Sequence, residues 1–434
     1  MEYFSGFSSV HFRNSSDADY IDNRKLPVHR WYSFPGAFSA VWAEKVIRWH
    51  LERSGIARDE IAVLDPFAGS GTTVLAAEHY AVRAYGIEAH PFLQKIAATK
   101  LLWDTDPKKF TAFSRKILQS RKNEPGEMKE YPPLVHAHFG EHFLSGFNSL
   151  RGAWENLDDR TPESQLAWLA ITEILHHFPQ QGIPAPQNPQ HDTTGAPDKN
   201  PRQNPYDLFF AQRSRMQDDI TAFQLCAKKT GKIFLGDSRS DTQVPDTTIS
   251  LVLAAPPFAN EFDYAGLTQL EEGFWGISDN QGRLQEKLRQ DMVHACTYQV
   301  SSEEAEKEHY LETLKNTPVF YEVKKTAELL EEKRVHADDK KPYHLLIPAY
   351  FSDLFYVWQN LRRMCREECI IAFIISDSAP LGVHIPTDEW LGNLALASGF
   401  REYQFVTTRT HTKTWTPEKG KNPIPLREGI LWVR

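Results

Sequence analysis

Ile61-Ala62-Val63-Leu64-Asp65-Pro66-Phe67-Ala68-Gly69-Ser70-Gly71-Thr72-Thr73 is the stretch that decides the fold. Its apolar start reads as a short buried strand, ended at Asp65-Pro66 because proline cannot donate to a central ladder. The small residues that follow make a tight turn, and Val74-Leu75-Ala76-Ala77-Glu78-His79-Tyr80 reads as a helix. A second strand, Ala84-Tyr85-Gly86-Ile87, ends in Glu88, and an alanine- and lysine-containing helix follows over 91–102. This βαβα unit predicts a parallel sheet.

Working outward, the alternation lapses over 104–230, where 165–178 reads as an amphipathic helix. The stretch 179–205 carries Pro179, Pro184, Pro186, Pro189, Pro197, Pro201 and Pro205 among Gln, Asn and Asp, the composition of a mobile loop. Strands return at Lys232-Ile233-Phe234-Leu235, leading to Gly236-Asp237, and at 249–253, leading to Ala254-Ala255-Pro256-Pro257-Phe258. A charged helical stretch over 301–334 interrupts again. Then come a helix over 351–364, a strand at 369–375, a helix at 387–398 and strands at 403–406 and 429–433. Five segments are expected: 1–103 as the N-terminal segment with one half of the α/β domain, 104–230 as an insertion, 231–278 as the second half, 279–343 as a helical insertion, and 344–434 as the remainder of the sheet.

The whole chain of 434 residues has 41% apolar and 24% charged residues, near globular averages. Its N-terminus, Met1-Glu2-Tyr3-Phe4-Ser5, lacks the basic start and apolar stretch of a signal peptide, and no apolar run is long enough to span a bilayer. A cytoplasmic protein is expected. Four cysteines are too few for a disulfide scaffold. Cys365 and Cys369, four apart on an expected helix, read as small hydrophobes rather than a metal pair, and no metal is expected. The net charge of −8 excludes a wholly basic coat but not nucleic acid, which needs only a local basic face. The C-terminal Arg401, Arg409, Lys413, Lys419, Lys421, Arg427 and Arg434 supply either such a face or a solvated tail.

A glycine loop after a first strand suits three ligands. A phosphate-cradling P-loop needs a lysine where Thr72 stands, and a dinucleotide fingerprint needs a third glycine where Val74 stands. S-adenosylmethionine fits better: the 65–71 loop would approach its methionine part, Glu88 would accept from both ribose hydroxyls, and Asp237 would accept from the adenine amine. At the end of the fourth strand, Pro256 and Pro257 fix φ and remove two backbone donors, leaving carbonyls to point into a pocket, while Phe258 offers a face for a flat base. Such a site suits methylation of an exocyclic amine, whose delocalised lone pair must be turned outward by hydrogen-bond acceptors. No cysteine lies in the motif, so a covalent thiolate route is not supported.

Asp65-Pro66-Phe67-Ala68-Gly69-Ser70-Gly71-Thr72-Thr73, Gly86-Ile87-Glu88-Ala89-His90-Pro91 and Ala255-Pro256-Pro257-Phe258-Ala259-Asn260-Glu261-Phe262-Asp263-Tyr264 resemble motifs of the DNA amino-methyltransferases, the adenine-N6 and cytosine-N4 enzymes of restriction-modification and related systems. Pro27-Val28-His29-Arg30-Trp31-Tyr32 resembles the family's segment near the methionine end of the cofactor. Gly382-Val383-His384-Ile385-Pro386-Thr387 and Leu426-Arg427-Glu428-Gly429-Ile430 resemble its C-terminal half. The resemblance implies a class I S-adenosylmethionine-dependent methyltransferase, a Rossmann-like doubly wound sheet with two insertions.

It also implies cofactor contacts at Asp65, Phe67, Gly69, Gly71, Thr72, Glu88 and Asp237, and catalysis at Ala255, Pro256, Pro257 and Phe258. Asn260, Asp263, Tyr264, Arg409 and Lys413 would meet the substrate. The implied partners are double-stranded DNA and either a cognate restriction endonuclease or another defence-system subunit. One departure stands out: the family's catalytic motif begins with Asp, Asn or Ser, and Ala255 accepts no hydrogen bond. Either an active DNA methyltransferase, an RNA guanine-amine methyltransferase or a catalytically silent DNA-binding subunit is compatible with that change.

Overall fold

A computed structural model describes residues 23–120, 128–177, 204–240, 242–260, 262–277, 282–300, 304–337, 340–411 and 425–434. The proline-rich stretch lies outside the described residues up to residue 203, as do Lys413, Lys419 and Lys421.

The expected strands form one sheet. β1 (Ala62–Asp65), β2 (Arg83–Glu88), β3 (Gly231–Leu235), β4 (Ile249–Ala254), β5 (Cys365–Ser376), β6 (Tyr403–His411) and β7 (Leu426–Val433) are hydrogen-bonded in the order β3-β2-β1-β4-β5-β7-β6 among the described residues. The first five run parallel, and β7 enters antiparallel between β5 and β6. Alternate residues feed two cores, Val63, Leu251, Leu253 and Trp432 on one face and Leu64, Val252, Ala254 and Leu431 on the other. Burial on both faces explains why β1 and β4 read as continuous apolar runs rather than alternating ones.

Helices cover both faces. On the first lie α1 (Ala40–Arg53), α2 (Thr72–His79), α3 (Pro91–Lys100), α4 (Pro107–Ser120), α5 (Pro133–Leu157), α6 (Pro162–Ile174), α7 (Pro205–Phe223) and the short α8 (Gln269–Trp275). α9 (Arg283–Asp291) lies beside them, packing Leu288 with Ala265 and Met292. On the second face lie α10 (Glu304–Leu314), α11 (Phe320–Ala337), α12 (Tyr343–Met364) and α13 (Thr387–Ala397). The stretch 104–230 is therefore helical where described, and α4 to α7 share one core with α1 to α3. Local chemistry sets the starts: Thr161 accepts from Ser164 N before Pro162, and Asn204 accepts from Tyr206 N and Asp207 N before Pro205. A side-chain cap followed by proline at the first helical position satisfies or removes donors that would otherwise be orphaned.

Two expectations are corrected. Pro205 closes no loop but opens α7, because Asn204 caps the helix there. Cys365 and Cys369 do not stand on a helix: α12 stops at Met364, and both residues belong to β5, buried in the second core. Burial, reinforced by Cys365, pushes the Cys369 thiol up. Among the described residues no group of His, Cys, Asp or Glu is arranged to hold a metal, and no helix is long and apolar enough to cross a membrane.

The N-terminal segment is clamped to the helical layer by Asp219 of α7. Its carboxylate accepts from Arg30 Nε (2.9 Å) and Nη2 (2.5 Å), Trp31 Nε1 (3.0 Å) and Val28 N (3.3 Å). Asp219→Ala would leave the buried indole N–H without its acceptor and Arg30 without its counter-charge. Unfolding free energy should fall by about 2–3 kcal/mol, measurable by urea denaturation.

Candidate functional site

The sheet places one concave site at the carboxyl ends of its central strands. β1 is flanked by β2 and β4, whose connections leave in opposite directions, and such a switch point opens a crevice above the strand ends. A cavity with about 720 Å³ of non-atom space, open solvent at its mouth included, lies there, a size that suits a small-molecule ligand.

One wall is the glycine loop between β1 and α2, where Pro66, Phe67, Ala68, Gly69, Ser70 and Thr72 line the cavity. Gly69 (φ +50°) and Gly71 (φ +88°) adopt left-handed backbone that few side chains tolerate. Asp65 does not line the cavity. It accepts from Phe67 N (3.0 Å) and Thr73 Oγ1 (2.7 Å), bracing the loop from below, and burial pushes its carboxyl up to about 7 despite those bonds. Gly71 also faces away, with Ala97 of α3 behind it.

Glu88, at the end of β2, lines the cavity and fixes the loop to the sheet. Its Oε2 accepts from Gly69 N (2.7 Å) and its Oε1 from His90 N (2.8 Å). Burial raises its carboxyl to about 7, while the His90 and Gly69 amides hold it back. Asp237, just beyond β3, lines the next part of the wall with Gly236 and Ser238. It pairs with Arg239 (Nε to Oδ2 2.9 Å), which also donates to Asp353 of α12 (2.9 Å). Asp353 receives His294 Nδ1 (2.7 Å) and His294 N (2.9 Å). Burial alone would raise the Asp353 carboxyl, but His294 and Arg239 hold it below its ordinary value.

The proline motif forms the far end, where Ala255, Pro257 and Tyr264 line the cavity. Pro256 is buried behind them, and Phe258 is half-buried against the first core. Asn260 takes φ +65° and donates its N–H to Ala295 O (2.7 Å). Asp263 is engaged by Arg289 Nη2 (2.5 Å) and Nε (3.2 Å). Arg409 stands on β6, opposite Glu428 in register, away from these motifs in the sheet order. Its expected companion Lys413 is outside the described residues. Of the other C-terminal arginines, Arg427 is bound by Asp377 (2.9 Å) and Asp388 (2.7 Å), Arg401 pairs with Glu367, and Arg434 lies 3.8 Å from Glu402. Those charges are largely matched inside the protein.

The sequence motifs missed one wall. Phe34, Gly36, Ala37 and Phe38 line the cavity, just after the 27–32 segment that resembles the family's N-terminal motif. That segment itself works as an anchor: Lys100 Nζ donates to His29 O (3.0 Å) and Tyr32 O (3.1 Å), Tyr32 Oη donates to Glu271 (2.5 Å), and Ser33 N donates to Glu173 (3.0 Å). The missed aromatic residues carry no motif, and only the long-range clamp brings them to the site. Met292 and Val293, from the 279–343 stretch, also line it.

Residues 10–99 match the sequence profile of the family described as DNA methylase (N6_N4_Mtase). The chain is 21% identical to the Type II methyltransferase M.BsoBI of Geobacillus stearothermophilus, over 97% of this chain and 88% of that protein. It is 22% identical to the Type II methyltransferase M.AvaI, as found in Nostoc sp. (strain PCC 7120) and in Anabaena variabilis, over 89% of this chain and 82% of those proteins. No solved structure matches the chain significantly.

The bonding of Asp65 separates a loop brace from a ligand contact. Asp65→Ala leaves the Phe67 amide without its acceptor and should cost about 1–3 kcal/mol of stability. Asp65→Asn keeps one acceptor oxygen and should stay within about 1 kcal/mol of the parent. Guanidinium denaturation of both variants decides between the roles, and an Asp65→Ala protein of undiminished stability would remove the brace.

Proposed function

We propose that the chain is a DNA amino-methyltransferase of the restriction-modification kind, transferring a methyl group from S-adenosylmethionine to an exocyclic amine of cytosine or adenine in double-stranded DNA. One observation carries the reading: a single cavity has the glycine loop, Glu88 and Asp237 at one end and Ala255, Pro257 and Tyr264 at the other. A donor-binding end and an acceptor end in one crevice are what direct group transfer requires. The strand order, with β7 reversed between β5 and β6, supports the class I, Rossmann-like reading of the sheet.

In this reading Glu88 holds the ribose hydroxyls, Asp237 the adenine amine, and Phe67, Gly69 and Thr72 the methionine part. Asp65 and Gly71 keep that loop in shape. The bound cofactor supplies an electrophilic methyl on its sulfonium. The Pro256 carbonyl accepts from the target amine, and Phe258 stacks on a base flipped out of the duplex, with Tyr264 beside it. Asn260 and Asp263 border the base, and Arg409 and Lys413 approach phosphate. The protein would act in the cytoplasm, beside a cognate restriction endonuclease whose site its methylation protects.

Cofactor affinity should depend on pH through Glu88. Ribose hydroxyls donate to the ionised carboxylate, and burial has raised this carboxyl to about 7, so the binding-competent form is lost as pH falls below that value. Affinity should therefore rise roughly tenfold per unit below pH 7 and level off above it. Glu88→Gln should flatten the profile, and Glu88→Ala should weaken binding by about 1.5–3 kcal/mol at pH 8. Calorimetric titration from pH 6 to 8.5 measures both, and a parent profile identical to that of Glu88→Gln would retire the role.

Activity turns on Ala255. Its methyl accepts nothing, and loss of one charge-stabilising partner in a dry site costs about 100-fold in rate. Ala255→Asp or Ala255→Ser should raise turnover, and Phe258→Ala should abolish it. Mass spectrometry of nucleosides from unmodified genomic DNA reads the rate and identifies the methylated base, with total RNA as a parallel substrate. Methylation of RNA alone would favour the guanine-amine reading, and no methylation by the parent or either Ala255 variant would favour a silent DNA-binding subunit.

A further inference from the structure

The stretch 292–300 that follows α9 is braced more tightly than a surface connection requires. Gln299 makes three hydrogen bonds within it and one back to α9: Oε1 accepts from Ala295 N (2.6 Å) and Cys296 N (3.0 Å), while Nε2 donates to Val293 O (2.9 Å) and to Arg289 O of α9 (3.1 Å). His294 nails it to Asp353, and Ala295 O accepts from Asn260 N, so the loop is joined to the proline motif. Its inner side, at Met292 and Val293, lines the cavity. Tyr298, on the same stretch, is 73% exposed.

An isolated exposed aromatic needs no explanation. Tyr298 differs in its setting. The guanidinium of Arg289 lies 5.5 Å from its ring centroid while binding Asp263, so one cation positions both the ring and the loop that follows the proline motif. Gln299 fixes the backbone next to it, which lowers the entropy lost when the ring meets a partner.

Resting on the function proposed above, we infer that Tyr298 is a DNA-stacking residue. Its ring enters the duplex beside the target as the target base turns into the cavity, and it stacks on the neighbouring base. A base that has lost its stacking partner presents an apolar π-face, and an exposed aromatic ring on the loop that lines the cavity with Met292 and Val293 replaces that partner.

Steady-state methylation of unmodified genomic DNA, with Tyr298→Ala and Tyr298→Phe beside the parent, tests this. Tyr298→Ala should raise KM for DNA about tenfold or more, as loss of one base–aromatic stack implies. Cofactor affinity and melting temperature should not move, because the ring is exposed and lies outside the cofactor wall. Tyr298→Phe should match the parent, since stacking uses the ring. Once the methylated position is mapped, a duplex with 2-aminopurine at that position should brighten with the parent and with Tyr298→Phe, and should brighten less with Tyr298→Ala at saturating protein. An unchanged KM and fluorescence for Tyr298→Ala in an enzyme that methylates DNA would overturn the stacking role alone. A defect shared by Tyr298→Phe would overturn it in favour of the hydroxyl. A parent that binds cofactor and methylates no DNA would bring down the functional reading and this role with it.

Discussion

The site rests on one carboxylate. Glu88 ends β2, and its two oxygens take the amides of Gly69 and His90, so the glycine loop and the start of α3 are tied to the same strand end. Ala68 N adds a bond to Ile87 O (2.9 Å), extending the attachment to the backbone. Without this anchor, two left-handed glycines would leave the loop several conformations to choose among. The anchor is expensive, since a buried carboxylate loses its hydration and only hydrogen bonds of good geometry offset that loss. Its carboxyl accordingly sits near 7 rather than in the ordinary range. The group that shapes the loop is also the one that changes charge near neutrality, which couples the form of the cavity to its chemistry.

The opposite wall depends on charges supplied from far along the chain. Asp219 on α7, Glu173 on α6, Glu271 on α8 and Lys100 on α3 all bond to residues 28–33. Phe34 to Phe38 follow directly and close the cavity. His176 reinforces the arrangement: burial would lower its pKa, but Glu271 at 2.7 Å and Glu173 carry it to about 9. Buried ionic contacts of this kind contribute little net stability and are better understood as fixing one geometry among several. α6 and α7 belong to the stretch where the strand–helix alternation lapses, yet they help set the position of the cavity wall. That stretch contributes to the wall of the cavity whatever else it does.

The sheet was legible because strands buried on both faces write themselves as unbroken apolar runs, as at 61–64 and 249–253. The loop motif was legible because glycine, proline and a strand-end acid each meet a local backbone demand. Boundaries were less so. β5 starts at Cys365, four residues before the expected strand, since the pairing with β4 shifts register there and reaches back to Ile249. α12 starts at Tyr343 despite Pro348 within it, because a helix packed so deeply in the second core tolerates one lost hydrogen bond. Phe34, Phe38, Met292 and Val293 were not legible at all. Nothing local marks them, and they reach the cavity through contacts between residues far apart in sequence, such as Tyr32 with Glu271 or His294 with Asp353.

Ala255 gains its meaning from what surrounds it. A side-chain acceptor at the end of β4 would point into the cavity, where the structure has a methyl group. The next acid in the chain with a described side chain, Asp263, is held by both ends of the Arg289 guanidinium. An amine approaching Asp263 would have to compete with a charge-assisted, two-pronged interaction that is already formed. Backbone carbonyls are the alternative to that acid, and the two prolines favour them by removing donors that would otherwise bind them locally. Because Arg289 also lies against Tyr298, one guanidinium holds both the acid that follows the proline motif and the ring on the neighbouring loop.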